Sequence, residues 1–167
     1  RQLMPGLGGS PDHLNWLARH LAAAGWPVVL LEHPGSDAAA VQALLEGRES
    51  FDGARALQDR QQDLEAVLSA QAQQRIPIQG ERMVLAGHSM GALTALVASG
   101  HSPQSGMDQR CQKALGDLPL TNLSRLLQCE LVERGVLRSR SVPVSPAAVV
   151  GLLSLIHISE PTRLVSI

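Results

Sequence analysis

Gly87-His88-Ser89-Met90-Gly91 stands directly behind the apolar run Met83-Val84-Leu85-Ala86, and these residue types suit nucleophilic chemistry. A serine hydroxyl attacks a carbonyl only when a base takes its proton and the backbone presents its oxygen clear of neighbouring side chains. A sharp turn from a buried strand into a helix does the presenting. Gly87 and Gly91, two residues either side of Ser89, leave room for that turn and for close packing of helix on strand. After the turn, Ala92, Leu93, Ala95, Leu96, Val97 and Ala98 predict an almost wholly apolar helix, the kind that packs on a sheet. The bland alternative is a glycine-rich turn without chemistry; two correct flanks weigh against it.

Acyl chemistry at Ser89 also needs donors aimed at the developing oxyanion. In a strand-turn-helix of this type one donor is the amide after the nucleophile, here Met90. The other comes from the loop after an earlier strand, and Pro5-Gly6-Leu7-Gly8-Gly9 occupies that place, with the Leu7 amide as its donor. Pro5 stands where a histidine often does, which a backbone donor tolerates. The alternative is a turn that serves packing only. Gly6-x-Gly8 with Glu32 further on also suggests a dinucleotide fingerprint, but the third glycine is due at Pro11 and that reading leaves the residues around Ser89 unexplained.

No base for Ser89 is evident. His88 cannot deprotonate its own neighbour in the required geometry, and His13, His20 and His101 read as surface positions. His33 and Asp37 belong either to a pocket rim or to a plain polar turn. Asp12, Asp52, Asp59 and Asp63 precede Ser89, whereas chain order in this kind of site is Ser, acid, His. Asp108 and Asp117 follow the elbow helix too closely to be that acid.

The elements that position these residues alternate. A stub strand precedes Pro5, and Ser10-Pro11 opens a helix carrying Leu14, Leu17, Ala18 and Leu21, which Gly25 ends. Residues 27–31 predict a fully buried strand, 38–46 a short helix, and 47–53 a loop. Residues 54–72 predict a long amphipathic helix with Leu57, Leu64, Val67 and Leu68 inward, broken by Pro77 and Gly80. Residues 101–119 look loop-like, Leu123, Leu126, Leu127 and Leu131 mark another helix closed by Gly135, and 147–152 begin one more buried strand. Short strands alternating with helices predict an α/β fold: a parallel sheet with helices on both faces, whose ligands bind beyond the carboxyl ends of the strands. The two loops and Ser89 all follow strands and should meet there.

With 44% apolar and 17% charged residues and a formal net charge of −1, the chain implies neither nucleic acid nor an anionic membrane as partner. No apolar run approaches the roughly 20 residues of a membrane span. Nothing in the sequence calls for a cofactor or a metal. Cys111 and Cys129 are either two reduced buried thiols or a pair whose loop closure contributes about 3 kcal/mol. The chain starts at Arg1 without an initiator methionine, so an export signal is left open. Leu153-Ser154-Leu155-Ile156-His157-Ile158-Ser159-Glu160-Pro161-Thr162-Arg163 resembles translated adapter sequence of a transposase-based sequencing library. The expected organisation is therefore a domain over 1–152 and a non-native tail over 153–167, which discounts His157 as a base.

On Gly6-Leu7-Gly8, Leu17-Ala18-Arg19-His20-Leu21, Glu32-His33-Pro34-Gly35-Ser36, Gly87-His88-Ser89-Met90-Gly91 and Leu126-Leu127-Gln128-Cys129, the chain resembles cyanobacterial proteins of the dienelactone hydrolase type. These are relatives of platelet-activating-factor acetylhydrolase within the α/β-hydrolase superfamily. The resemblance implies hydrolysis of a small-molecule carboxylic ester through an acyl-enzyme on Ser89. It also implies that the acid and histidine lie beyond the strand begun at 147–152, so the fold is expected to be partial, and the chain to lack its base and be inactive alone. A non-catalytic binding protein on the same fold is the alternative.

Overall fold

The computed structural model describes residues 1–78, 82–101, 106, 109, 111–112, 129, 131 and 145–152. Four strands form one sheet: β1 (Gln2–Met4), β2 (Val29–Leu30), β3 (Val84–His88) and β4 (Ala148–Leu152), in the order β2-β1-β3-β4. Every pair is parallel, with Leu3 opposite both Leu30 and Ala86, and Ala86 opposite Val150. Parallel neighbours need crossovers, and helices supply them. A short 3₁₀ turn (Pro11–Leu14) and α1 (Asn15–Ala23) connect β1 to β2, while α2 (Ala38–Leu45) and α3 (Gly53–Ala72) connect β2 to β3. The helix α4 (Met90–Ala98) follows β3. An α/β fold with a parallel sheet is what the alternation predicted.

Side chains on a strand alternate faces, and the core divides accordingly. Leu3, Ala86, Leu30 and Val150 point to one face, where Leu14 and Ala18 cover them. Met4, Leu85, Leu31 and Val149 point to the other, against Leu64 and Leu68 of α3 and Ala95 and Ala98 of α4. A further cluster joins Leu57 of α3 to Met90, Leu93 and Val97 of α4 and to Leu131. All nine residues of α4 are buried, which explains a helix with no polar face.

Local chemistry fixes the helix ends. The Asp37 side chain accepts from the Ala40 amide at 2.9 Å and starts α2, and Asp52 accepts from the Ala54 and Arg55 amides at 3.0 and 3.1 Å and starts α3. Gly25, at φ +81°, follows the α1 C-cap in the left-handed region, as its position predicted.

Two strands depart from expectation. β2 covers two residues rather than five, and both are half-buried. It stands at the end of the described strand order, and Pro27 has no N–H to extend the ladder. β4 also ends that order, and Ala148 and Gly151 are exposed, so it is not the buried strand its composition suggested. The expected loop over 101–119 and the helix around 123–131 lie almost wholly outside the described residues, as does the tail over 153–167 with His157. Cys111 and Cys129 are described, both are buried, and they form a disulfide.

Candidate active site

β3 ends at His88 and α4 begins at Met90, so the whole turn between strand and helix falls on Ser89. Its backbone is at φ 52° and ψ −118°, a conformation that costs a non-glycine residue on the order of 1–3 kcal/mol. Such strain persists only where the surroundings over-determine it, and the flanking glycines show how. A Cβ at Gly87 would lie 2.1 Å from the carbonyl carbon of Gly91, and one at Gly91 would lie 2.1 Å from the Met4 carbonyl oxygen. Helix, strand and the end of β1 therefore touch backbone to backbone around Ser89. The Ser89 amide donates to the Leu152 carbonyl at 3.0 Å, and its side chain stays partly exposed.

The loop over residues 5–9 follows β1, the neighbour of β3, and returns across the elbow. A Cβ at Gly6 would lie 3.1 Å from Ser89 Cβ and 3.2 Å from His88 Nδ1. Gly8, at φ +70°, turns the loop, its amide donating to the Ser36 carbonyl at 2.9 Å, and Gly9 N–H donates to the Gly6 carbonyl at 3.1 Å. Neither the Leu7 nor the Met90 amide donates to a backbone carbonyl among the described residues. Met90 opens α4, so its N–H is one of the orphan donors every helix start carries. Gly6, Leu7, Gly8, Gly87, Ser89, Met90 and Gly91 thus lie together at the carboxyl ends of two adjacent strands.

Behind the loop lies a polar network that sequence reasoning missed. Arg60 of α3 is 1% exposed, and its guanidinium donates to the Ser36 hydroxyl at 2.8 Å, to the Thr94 hydroxyl at 3.1 Å and to the Pro5 carbonyl. The Thr94 hydroxyl donates in turn to the Met90 carbonyl at 2.8 Å, and Gln61 Nε2 donates to the Thr94 carbonyl at 3.0 Å. Burial lowers Arg60 to about 10, with the Asp63 charge pulling the other way, so it remains a cation at neutral pH. The signal was available: Arg60 and Gln61 fill the slots between Leu57 and Leu64 on the inward stripe of α3.

His33 does not line a pocket rim. It is 1% exposed, its Nδ1 meets Asp63 Oδ2 at 2.9 Å, and its Nε2 is buried without a partner. Burial first, and the Arg60 charge second, push its pKa down to about 3, so the ring is neutral. With the Asp63 carboxylate as acceptor, the proton sits on Nδ1. Burial raises the Asp63 carboxyl against the pull of Arg60. Asp37 caps α2, Glu32 is exposed, and His13, His20 and His101 are exposed as expected. No histidine among the described residues is hydrogen-bonded to the Ser89 hydroxyl. Asp108 and Asp117 lie outside the described residues. Among the described residues no cluster of His, Cys, Asp and Glu is arranged to hold a metal ion, and no helix is long and apolar enough to cross a membrane.

Residues 2–109 match the family described as serine aminopeptidase, S33, a match that takes in both loops, the buried network and the whole of α4. No curated protein and no solved structure matches the chain.

Proposed function

Because the chain belongs to the serine aminopeptidase S33 family of α/β-hydrolases, we propose that Ser89 is the nucleophile of an acyl-transferring hydrolase that acts on carboxylic esters. In this reading Ser89 Oγ attacks the carbonyl carbon, and the Leu7 and Met90 amides receive the oxyanion of the tetrahedral intermediate. The leaving alcohol departs with a proton from a histidine, and water then cleaves the acyl-enzyme. The acid and then the histidine follow Ser89 in chain order, as they do when the nucleophile stands on an elbow of this kind. One observation carries the reading: Ser89 is strained at φ 52°, and a Cβ on Gly6 would come within 3.1 Å of Ser89 Cβ.

The ester preference rests on the resemblance to dienelactone-hydrolase-type esterases. The description of the family favours a second substrate, the N-terminal peptide bond, cleaved by the same acyl transfer. A fluorophosphonate applied to the full-length protein, with the adduct mapped by mass spectrometry, tests the nucleophile. Modification of Ser89, abolished in Ser89→Ala, is expected. An unmodified Ser89 in folded protein would leave a binding protein on a hydrolase scaffold. Turnover of p-nitrophenyl esters against aminoacyl p-nitroanilides then decides the bond.

A further inference from the structure

The cation buried behind the oxyanion loop has no role in the acyl transfer itself. We propose that Arg60 is a positioning residue for the oxyanion hole, fixing the loop that carries the Leu7 amide against the helix that begins with the Met90 amide. The proposal rests on the reading of Ser89 as nucleophile and extends it to a residue 29 positions earlier in the chain, on α3.

The two donors belong to separate chain segments, and no described hydrogen bond joins residues 5–9 directly to α4. Their separation must be held to a fraction of an ångström, because a displacement of about 1 Å at such a site costs about 10²-fold in rate. Arg60 bridges the segments. One N–H binds the Pro5 carbonyl, two residues before Leu7; another binds Thr94, whose hydroxyl binds the Met90 carbonyl in the first turn of α4. A third binds Ser36, whose carbonyl holds Gly8, so the loop is tied on both sides of Leu7. Only a guanidinium presents donors in a rigid planar fork; an ammonium is a point charge on a flexible stem. Burying a cation is costly, and a hydrocarbon would fill the same space with less penalty. What a hydrocarbon cannot do is aim three donors at acceptors on three segments.

Asp63 and His33 support the same group. The Asp63 charge stabilises the guanidinium and also orients His33, whose carbonyl accepts from the Ser36 hydroxyl at 3.2 Å. The Ser36 hydroxyl therefore accepts from Arg60 and donates to His33, which ties the turn it belongs to against the guanidinium.

The test uses the full-length protein with Arg60→Met, Arg60→Lys, Ser36→Ala and Thr94→Val. The readouts are the rate of Ser89 modification by a fluorophosphonate, kcat and KM on a p-nitrophenyl ester, and the melting temperature. Arg60→Met is expected to lower kcat and the modification rate about 10- to 100-fold with KM nearly unchanged, since oxyanion donors act on the transition state. Arg60→Lys should recover part of that loss, and the two acceptor variants should each lose about 2- to 10-fold. A role confined to stability would lower the melting temperature and leave the folded fraction reacting at the wild-type rate; that result overturns the proposal. If Arg60→Met does not fold, Ser36→Ala and Thr94→Val decide, and wild-type rates in both overturn it. If wild-type Ser89 itself stays unmodified, the nucleophile reading fails first and takes the positioning role with it.

Discussion

Gly6 and Ser89 belong to different strands' loops, yet a methyl group on Gly6 would stand 3.1 Å from Ser89 Cβ. That contact is tighter than ordinary van der Waals separation, and the other neighbours it meets are His88 Nδ1 and the His88 carbonyl, both at 3.2 Å. Gly6→Ala should therefore fold, at a cost of about 1–2 kcal/mol, while pushing the loop a few tenths of an ångström from the elbow. The expected outcome is a fall in kcat of about 10-fold or more with little change in KM. Steady-state kinetics of the full-length protein beside a thermal melt would check both parts.

Gly91 is a different case, because the neighbours of its added Cβ are backbone: the Met4 carbonyl oxygen at 2.1 Å and the Pro5 carbonyl oxygen at 2.7 Å. No rotamer change relieves such a clash, so α4 must lift from β1. Gly91→Ala is expected to cost about 3 kcal/mol or more, at the upper end for overpacking, and to lower soluble yield. A chemical denaturation curve indistinguishable from wild type would refute it.

The contrast shows what the sequence disclosed. Glycine spacing around Ser89 announced a backbone contact, and the strand-turn-helix followed from the apolar runs either side. Loop placement at one sheet edge followed from the parallel topology. The partners of Arg60, His33 and Asp63 were hidden because they depend on where α3 lies across the sheet. His33 and Asp63 are 30 positions apart, and nothing local links them. The helical spacing puts Arg60 on the inward stripe of α3, but its residue type argues for the surface, since buried arginines are rare unless paired, and the acceptors that pair it come from distant segments. The extent of β2 and the burial of β4 differ from expectation for a related reason: composition reports that a strand is apolar, while position in the strand order decides how much of it is covered.

His33 makes the fold acid-sensitive. Its pKa lies near 3 in the folded protein, below the ordinary value of 6.5, so between those limits the unfolded chain binds a proton the folded one excludes. The stability linked to this group is complete above about pH 6.5 and is lost as the pH falls toward 3, at about 1.4 kcal/mol per unit. The raised Asp63 carboxyl opposes the trend, since it favours the folded state at low pH and loses that contribution as the pH rises through its folded value. Denaturant unfolding from pH 7 to pH 4.5 should show stability declining, and His33→Asn should flatten the slope. A wild-type curve level across this range would remove the assignment.

The Cys111–Cys129 disulfide closes a loop of sequence separation 18 beside Leu131, which packs on Met90 and Leu93. Constraining the unfolded chain over such a loop contributes about 3 kcal/mol. Reduction is therefore expected to lower the melting temperature by about 6–12 °C for a chain of this size. Calorimetry with and without reductant measures the shift, and Cys111→Ser with Cys129→Ser should reproduce it.

The last prediction concerns the 167-residue chain on its own. A serine without a base retains little of its reactivity: loss of the histidine from a serine-protease triad costs on the order of 10⁶ in kcat. Here His33 is committed to Asp63, its other nitrogen is sealed from solvent, and His88 is fixed beside Gly6 as the neighbour of Ser89 rather than its partner. With His13, His20 and His101 exposed, no described histidine serves Ser89. We therefore expect the chain by itself to hydrolyse p-nitrophenyl esters no more than about threefold faster than its Ser89→Ala variant, leaving any residual rate to the proposed oxyanion donors and nonspecific sites. The exposed positions of β4 should also make it prone to aggregate. Turnover lost on Ser89→Ala would show that a base lies within these 167 residues, and substituting His33, His88 and His157 in turn would identify it.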